Sequence, residues 1–138
     1  MGRILAVDDE ENILELIQAA LEGDGHQVTG AANGLEALKS VAASMPELIL
    51  LDLRMPVMDG WEFASRFRAR YGRDVPILVL TADRDAAASA SRIDADGCLA
   101  KPFDLMELLR LVDRFASIGK SGNRRVSEES AVLSASGA

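Results

Sequence analysis

Four reactive side chains or pairs each stand directly behind a short apolar run. Asp8 and Asp9, with Glu10 and Glu11 behind them, follow Ile4-Leu5-Ala6-Val7. Asp52 follows Leu48-Ile49-Leu50-Leu51, Thr81 follows Ile77-Leu78-Val79-Leu80, and Lys101 follows Cys98-Leu99-Ala100. If these acids share one site they repel, and at least one carboxyl is pushed toward its protonated form. A hard divalent cation relieves the conflict. Mg²⁺ is the expected ion, with Mn²⁺ able to take its place, because such ions take carboxylate, water and phosphate oxygens. The single cysteine and single histidine offer no zinc cluster. A lysine opposite the acids can pair with a carboxylate at rest and with a phosphoryl oxygen after transfer. Thr81 can donate a hydrogen bond to another phosphoryl oxygen. Ala82 beside it is small enough to leave room for the group and to let a backbone N–H point in. With the incoming negative charge neutralised, a carboxylate becomes a competent nucleophile.

The elements around these residues explain how they could meet. The apolar runs are continuous rather than alternating, as in strands covered on both faces of a parallel sheet. A further candidate, Gln27-Val28-Thr29-Gly30-Ala31, is only half apolar and is expected at an edge. Helical stripes separate the runs. The first uses Ile13, Leu16, Ile17, Ala20 and Leu21, and the second Leu35, Leu38, Val41 and Ala42. The third uses Phe63, Ala64, Phe67 and Tyr71, and the last Leu105, Leu108, Leu109, Val112 and Ala116. Between Ala86 and Ile93 the pattern is Ala/Ser-rich and faint, which predicts a short or mobile helix. The alternation predicts a doubly wound α/β domain of the (βα)5 type, with right-handed crossovers placing helices on both faces. Strand C-termini then share one edge of the sheet, and ligands bind along that edge.

The totals narrow the classes. A length of 138 residues favours one domain, expected over residues 2–118. The Ser/Gly/Ala-rich stretch 119–138 reads as a disordered tail or a truncated linker. No apolar run approaches the roughly 20 residues of a membrane helix, and no signal peptide is visible. One cysteine excludes an intrachain disulfide and fits a reducing cytosol, so a cytoplasmic location is expected. The net charge of −7 argues against direct nucleic-acid binding.

Taken in order, Val7-Asp8-Asp9-Glu10, Leu51-Asp52-Leu53-Arg54-Met55-Pro56-Val57-Met58-Asp59-Gly60, Leu80-Thr81-Ala82 and Lys101-Pro102-Phe103 resemble the receiver domain of bacterial two-component response regulators. The resemblance covers about residues 2 to 117. Each short motif alone is weak, and the four in register are specific. The resemblance implies strand order 2-1-3-4-5. It implies Asp52 as phosphoacceptor, with Asp8, Asp9, Asp52 and the backbone carbonyl of Arg54 around Mg²⁺. It implies that Thr81 and Lys101 attend the phosphoryl group, and that Lys101-Pro102 is a cis peptide. It also implies a histidine kinase or histidine phosphotransfer protein as donor and an unknown downstream protein as recipient of the signal. The expected protein is a signalling switch, not a turnover enzyme.

Plainer readings compete at each residue. Asp52 could be a turn-capping acid, and Asp8 and Asp9 could simply favour a helix N-terminus. Lys101 could be a surface lysine and Thr81 an ordinary strand end. His26 is expected to be a plain strand-edge residue and Trp61 to pack near a helix start. Arg54 and Asp83, each two positions beyond a site residue, could pair as a gate against water or be two solvated charges. Two departures from the receiver pattern stand out. Cys98 occupies the position where an aromatic is usual, and the Thr81–Lys101 segment is short. Output is therefore expected through another surface or an order–disorder change. A haloacid-dehalogenase-type phosphatase would need Asp-x-Asp after the first strand, whereas the acids here are adjacent. A nucleotide P-loop motif is absent. A pseudo-receiver is disfavoured by the intact acid, Thr and Lys set.

Overall fold

The computed structural model describes residues 2–82 and 86–121. Strands β1 (Arg3–Val7), β2 (Gln27–Ala31), β3 (Leu48–Leu51), β4 (Ile77–Thr81) and β5 (Gly97–Ala100) alternate with helices. The helices are α1 (Glu11–Gly23), α2 (Gly34–Ala43), α3 (Gly60–Tyr71), α4 (Ala86–Arg92) and α5 (Leu105–Ser121). All neighbouring strands pair in parallel, in the order β2-β1-β3-β4-β5. This is the doubly wound order expected, with the half-apolar β2 at an edge.

The continuous apolar runs are buried because both sheet faces are covered. Alternate strand residues feed two cores. Leu5, Val7, Ile49, Leu51, Ile77 and Val79 pack under α2, α3 and α4, where Ala37, Val41, Phe63, Phe67 and Ala90 meet them. Ile4, Ala6, Leu48, Leu50, Leu78 and Leu80 face Ile17 and Leu21 of α1 and Leu108 and Val112 of α5. Phe63, Phe67 and Tyr71 form a ladder along α3, with successive ring centroids 5.7 and 5.1 Å apart. Each fully buried side chain of this size contributes about 1.5–3 kcal/mol of transfer free energy.

Local signals set the helix ends. The Asn33 side chain accepts the Glu36 N–H at 2.9 Å, and Glu36 reaches back to accept the Ala32 N–H at 3.0 Å. This reciprocal arrangement starts α2 much as a capping box does. Asp59 caps α3 by accepting the Glu62 N–H at 2.8 Å. Helix α3 stops at Gly72, whose φ of 81° suits glycine. The Gly34 N–H donates to the Met58 carbonyl at 2.8 Å, fastening α2 to the β3–α3 loop. A Cβ at position 34 would lie 2.7 Å from Met58 Cγ and 2.8 Å from the Met58 carbonyl oxygen.

Several expectations change in detail. Leu16 and Leu35 belong to their predicted stripes but stand 46% and 42% exposed. Ala42 is also exposed. These single positions lie off the buried face of their helices, close in sequence to buried Ile17, Ala37 and Val41. His26 is not a plain strand-edge residue: it is 5% exposed, and its Nδ1 accepts the Gly2 N–H at 3.1 Å. Its place just before β2, beside the start of β1, turns the ring inward. Helix α5 runs to Ser121, past the Gly119 expected to open the tail. The rest of that tail lies outside the described residues. The Lys101–Pro102 peptide is cis. No helix among the described residues is long and apolar enough to cross a membrane.

Candidate functional site

Parallel pairing brings the strand C-termini to one edge, and the backbone ties there are short. The Asp8 N–H donates to the Ala31 carbonyl at 3.0 Å, Asp52 to Val7 at 2.9 Å, and Lys101 to Thr81 at 2.8 Å. The side chains that follow β1, β3, β4 and β5 therefore face one pocket of about 260 Å³. Asp9, Glu10, Asp52, Arg54, Thr81, Ala82 and Lys101 line it.

The acids are close. Asp8, Asp9 and Asp52 each place a carboxylate oxygen within 4.8 Å of the others'. Asp8 and Asp52 are buried and Asp9 is exposed. Lys101 Nζ lies 2.6 Å from Asp8 Oδ2, 3.5 Å from Glu10 Oε1 and 3.7 Å from Asp52 Oδ2. Two backbone N–H groups orient the buried carboxylates. Glu10 donates to Asp8 Oδ1 at 2.9 Å, and Leu53 donates to Asp52 Oδ1 at 2.8 Å. Asp52 Oδ2 is left on the side of the ammonium.

The loop after Asp52 is shaped by close backbone packing. The Gly60 N–H donates to the Leu53 carbonyl at 2.8 Å. A Cβ on Gly60 would lie 2.4 Å from the Asp52 carbonyl oxygen and 2.8 Å from Leu53 Cα. Val57, with φ at 69°, takes the left-handed region although it is β-branched.

Burial raises the Asp52 carboxyl pKa from 3.8 to about 6. Lys101 opposes that rise, Asp8 and Asp9 add to it, and the Leu53 N–H opposes it. For Lys101, burial alone would lower the ammonium's pKa. The Asp8 hydrogen bond and the charges of Asp52, Asp8 and Glu10 outweigh it and raise the pKa above 10.5. The pocket thus holds an excess of carboxylate over ammonium.

Of the residues singled out in the sequence, Asp8, Asp9, Asp52, Arg54, Thr81, Ala82 and Lys101 converge here. Asp83, the second half of the Arg54 gate, lies outside the described residues. Glu10 was read only as an acid behind the pair, yet it lines the pocket and approaches Lys101. Its signal was its position directly after Asp8-Asp9. Cys98 is half-buried against the core beneath α3 and α4, away from the pocket lining.

Comparison with known proteins fits this geometry. The family model described as response regulator receiver domain matches residues 4–113. Response regulator MprA of Mycobacterium leprae is 43% identical over 109 residues, 78% of this chain and 47% of its own length. The DNA-binding transcriptional regulator NtrC of Escherichia coli K12 is 38% identical over 118 residues, 84% of this chain and 25% of its own. The chain thus spans half or less of these two relatives. Among solved structures, response regulator TrrA of Thermotoga maritima, in complex with Mg(2+)-BeF, superposes with a TM-score of 0.76 at 37% identity. That match covers 83% of this chain and 99% of the other. With the sheet order, the acid–lysine edge and the matched segment in agreement, this chain belongs to the response regulator receiver domains of two-component signalling.

Proposed function

We propose that this receiver takes a phosphoryl group onto Asp52 from a histidine kinase or a histidine phosphotransfer protein, in a Mg²⁺-dependent reaction, and switches conformation to signal to a downstream protein. The observation that carries the reading is the position of the Asp52 carboxylate in the pocket, 3.7 Å from Lys101 Nζ and within 4.8 Å of the Asp8 and Asp9 oxygens. Asp52 Oδ2 attacks phosphorus as the P–N bond to the donor imidazole breaks, and the electron pair of that bond returns to the ring nitrogen. Oδ1 stays on the Leu53 N–H, which fixes the direction of attack. Lys101 moves its hydrogen-bonding from carboxylate toward a phosphoryl oxygen, and the Thr81 hydroxyl and the Ala82 N–H donate to the others. In hydrolysis water attacks phosphorus as the Asp52 O–P bond breaks, restoring the carboxylate and releasing inorganic phosphate; this step is slow, so the product is a state rather than a turned-over substrate.

The donor set fits a hard cation. The carboxylates of Asp8, Asp9, Glu10 and Asp52 against the cations of Lys101 and Arg54 leave a net deficit of two positive charges, the charge of one divalent ion. Asp8, Asp9 and Asp52, with the Arg54 carbonyl, would hold Mg²⁺ or Mn²⁺ there. The bound ion supplies charge neutralisation for the incoming phosphoryl oxygens. The Mg(2+)-BeF complex of the Thermotoga relative supports this choice. The remaining assignments follow the same reading: a receiver whose last helix runs to Ser121, a linker or tail beyond it, and a cytoplasmic location.

Incubation with Mg²⁺ and acetyl phosphate followed by intact mass measurement tests the proposal. A hydrolysis-labile phosphoryl adduct is expected in the wild type and is lost in Asp52→Asn. Rapid turnover of small phosphate esters without an adduct would instead favour a phosphatase and overturn it.

A further inference from the structure

Trp61, the chain's one tryptophan, sits in the first turn of α3, half-buried against the core. Its indole Nε1 is buried and has no hydrogen-bond partner among the described residues. Two cations instead lie over the ring. The Arg54 guanidinium carbon is 5.4 Å from the ring centroid and that of Arg92 is 5.2 Å away. These are ordinary cation–π separations. The two arginines come from different places. Arg54 lines the acid pocket, and Arg92 is the last residue of α4.

Helix α4 is weakly anchored by composition. It has seven residues, all Ala or Ser before Arg92, and its buried side chains are Ser89 and Ala90. An arginine reaching from its end to a large aromatic adds to its attachment. We infer that Trp61 couples the charge in the Asp52 pocket to the position of α4, through Arg54 on one side and Arg92 on the other. The inference rests on the phosphoacceptor reading above.

The direction follows from electrostatics. A phosphoryl group brings nearly two negative charges into a pocket that Arg54 already lines. That charge draws the Arg54 guanidinium off the indole. The two guanidiniums over one ring repel each other, so removing one strengthens the hold of the other. Arg92 then binds Trp61 more tightly and α4 becomes better ordered.

Amide hydrogen exchange across Ala86–Arg92, measured with and without phosphorylation and with the adduct verified by intact mass, tests this. In the wild type, phosphorylation is expected to slow exchange in α4 by about 2- to 5-fold, the range one cation–π contact supplies. Arg92→Gln keeps the helix propensity and the phosphorylation chemistry but removes the cation, and the slowing is expected to vanish. Trp61→Phe, with a smaller ring, is expected to reduce it. A full slowing in both variants at normal adduct yield would overturn the coupling and leave the phosphoacceptor reading intact. Failure of the wild type to form the adduct at all would sink both. A second arm needs no phosphoryl group: Arg54→Gln alone should slow α4 exchange, and should lose that effect when combined with Arg92→Gln. Additive effects in this cycle would count against the coupling.

Discussion

Asp52 is pulled in two directions: it is only 6% exposed, yet Lys101 stands 3.7 Å from it and the pocket above is open to solvent. Burial wins, and the folded protein holds the carboxyl proton up to about pH 6 against 3.8 ordinarily. Because the folded state binds that proton more tightly than the unfolded chain, the associated stability is full below about pH 4 and disappears as pH rises through 6. Asp52→Asn lacks the titration. In the presence of a chelator it is expected to be more stable than the wild type by about 1–2 kcal/mol at pH 8 and nearly equal at pH 4.5. Urea unfolding at the two pH values decides this, and identical differences at both would contradict it. At this scale the sequence was largely readable, since a polar residue directly after a buried apolar run can only lie at the strand's end. Pairwise reach was not readable. Glu10 approaching Lys101, and Trp61 between two arginines, depend on how far loops carry side chains from different strands.

The β3–α3 loop shows the next level. Val57 is held at φ 69° while 76% exposed, so it contributes little burial and bears backbone strain. Val57→Gly is expected to raise stability by about 1 kcal/mol, the relieved strain less the entropy glycine adds to the unfolded chain. An unchanged or lowered denaturation midpoint would refute it. Gly60→Ala acts oppositely on the same loop. Its methyl would meet the Asp52 carbonyl oxygen at 2.4 Å, so a loss of about 2 kcal/mol or more is expected, with a matching fall in phosphorylation rate. The elements themselves were legible where burial dictated composition, as in β1, β3 and β4. They were less so where it did not. Helix α4 is short and Ala/Ser-rich, the exposed Leu16 and Leu35 widen their stripes beyond the core, and α5 continues to Ser121 through residues whose composition suggested a tail.

Across the whole molecule, the net charge is −7 and three acids converge at one edge, and on the metal reading proposed above stability is expected to respond to divalent ions. Millimolar Mg²⁺ is expected to raise the unfolding free energy of the wild type by about 1–3 kcal/mol through mass action. A chelator should reverse the gain, and Asp9→Asn should abolish most of it. An equal gain in wild type and Asp9→Asn would show that the ion acts elsewhere. The (βα)5 architecture also spreads responsibility for the β3–α3 loop along the chain. Gly34 opens α2, on the far side of a strand from Asp52 in sequence, yet its N–H clasps Met58 and its missing Cβ leaves space for the Met58 side chain. On the phosphoacceptor reading proposed above, a genetic screen for unswitchable alleles is expected to return changes at codon 34 as well as at the acids.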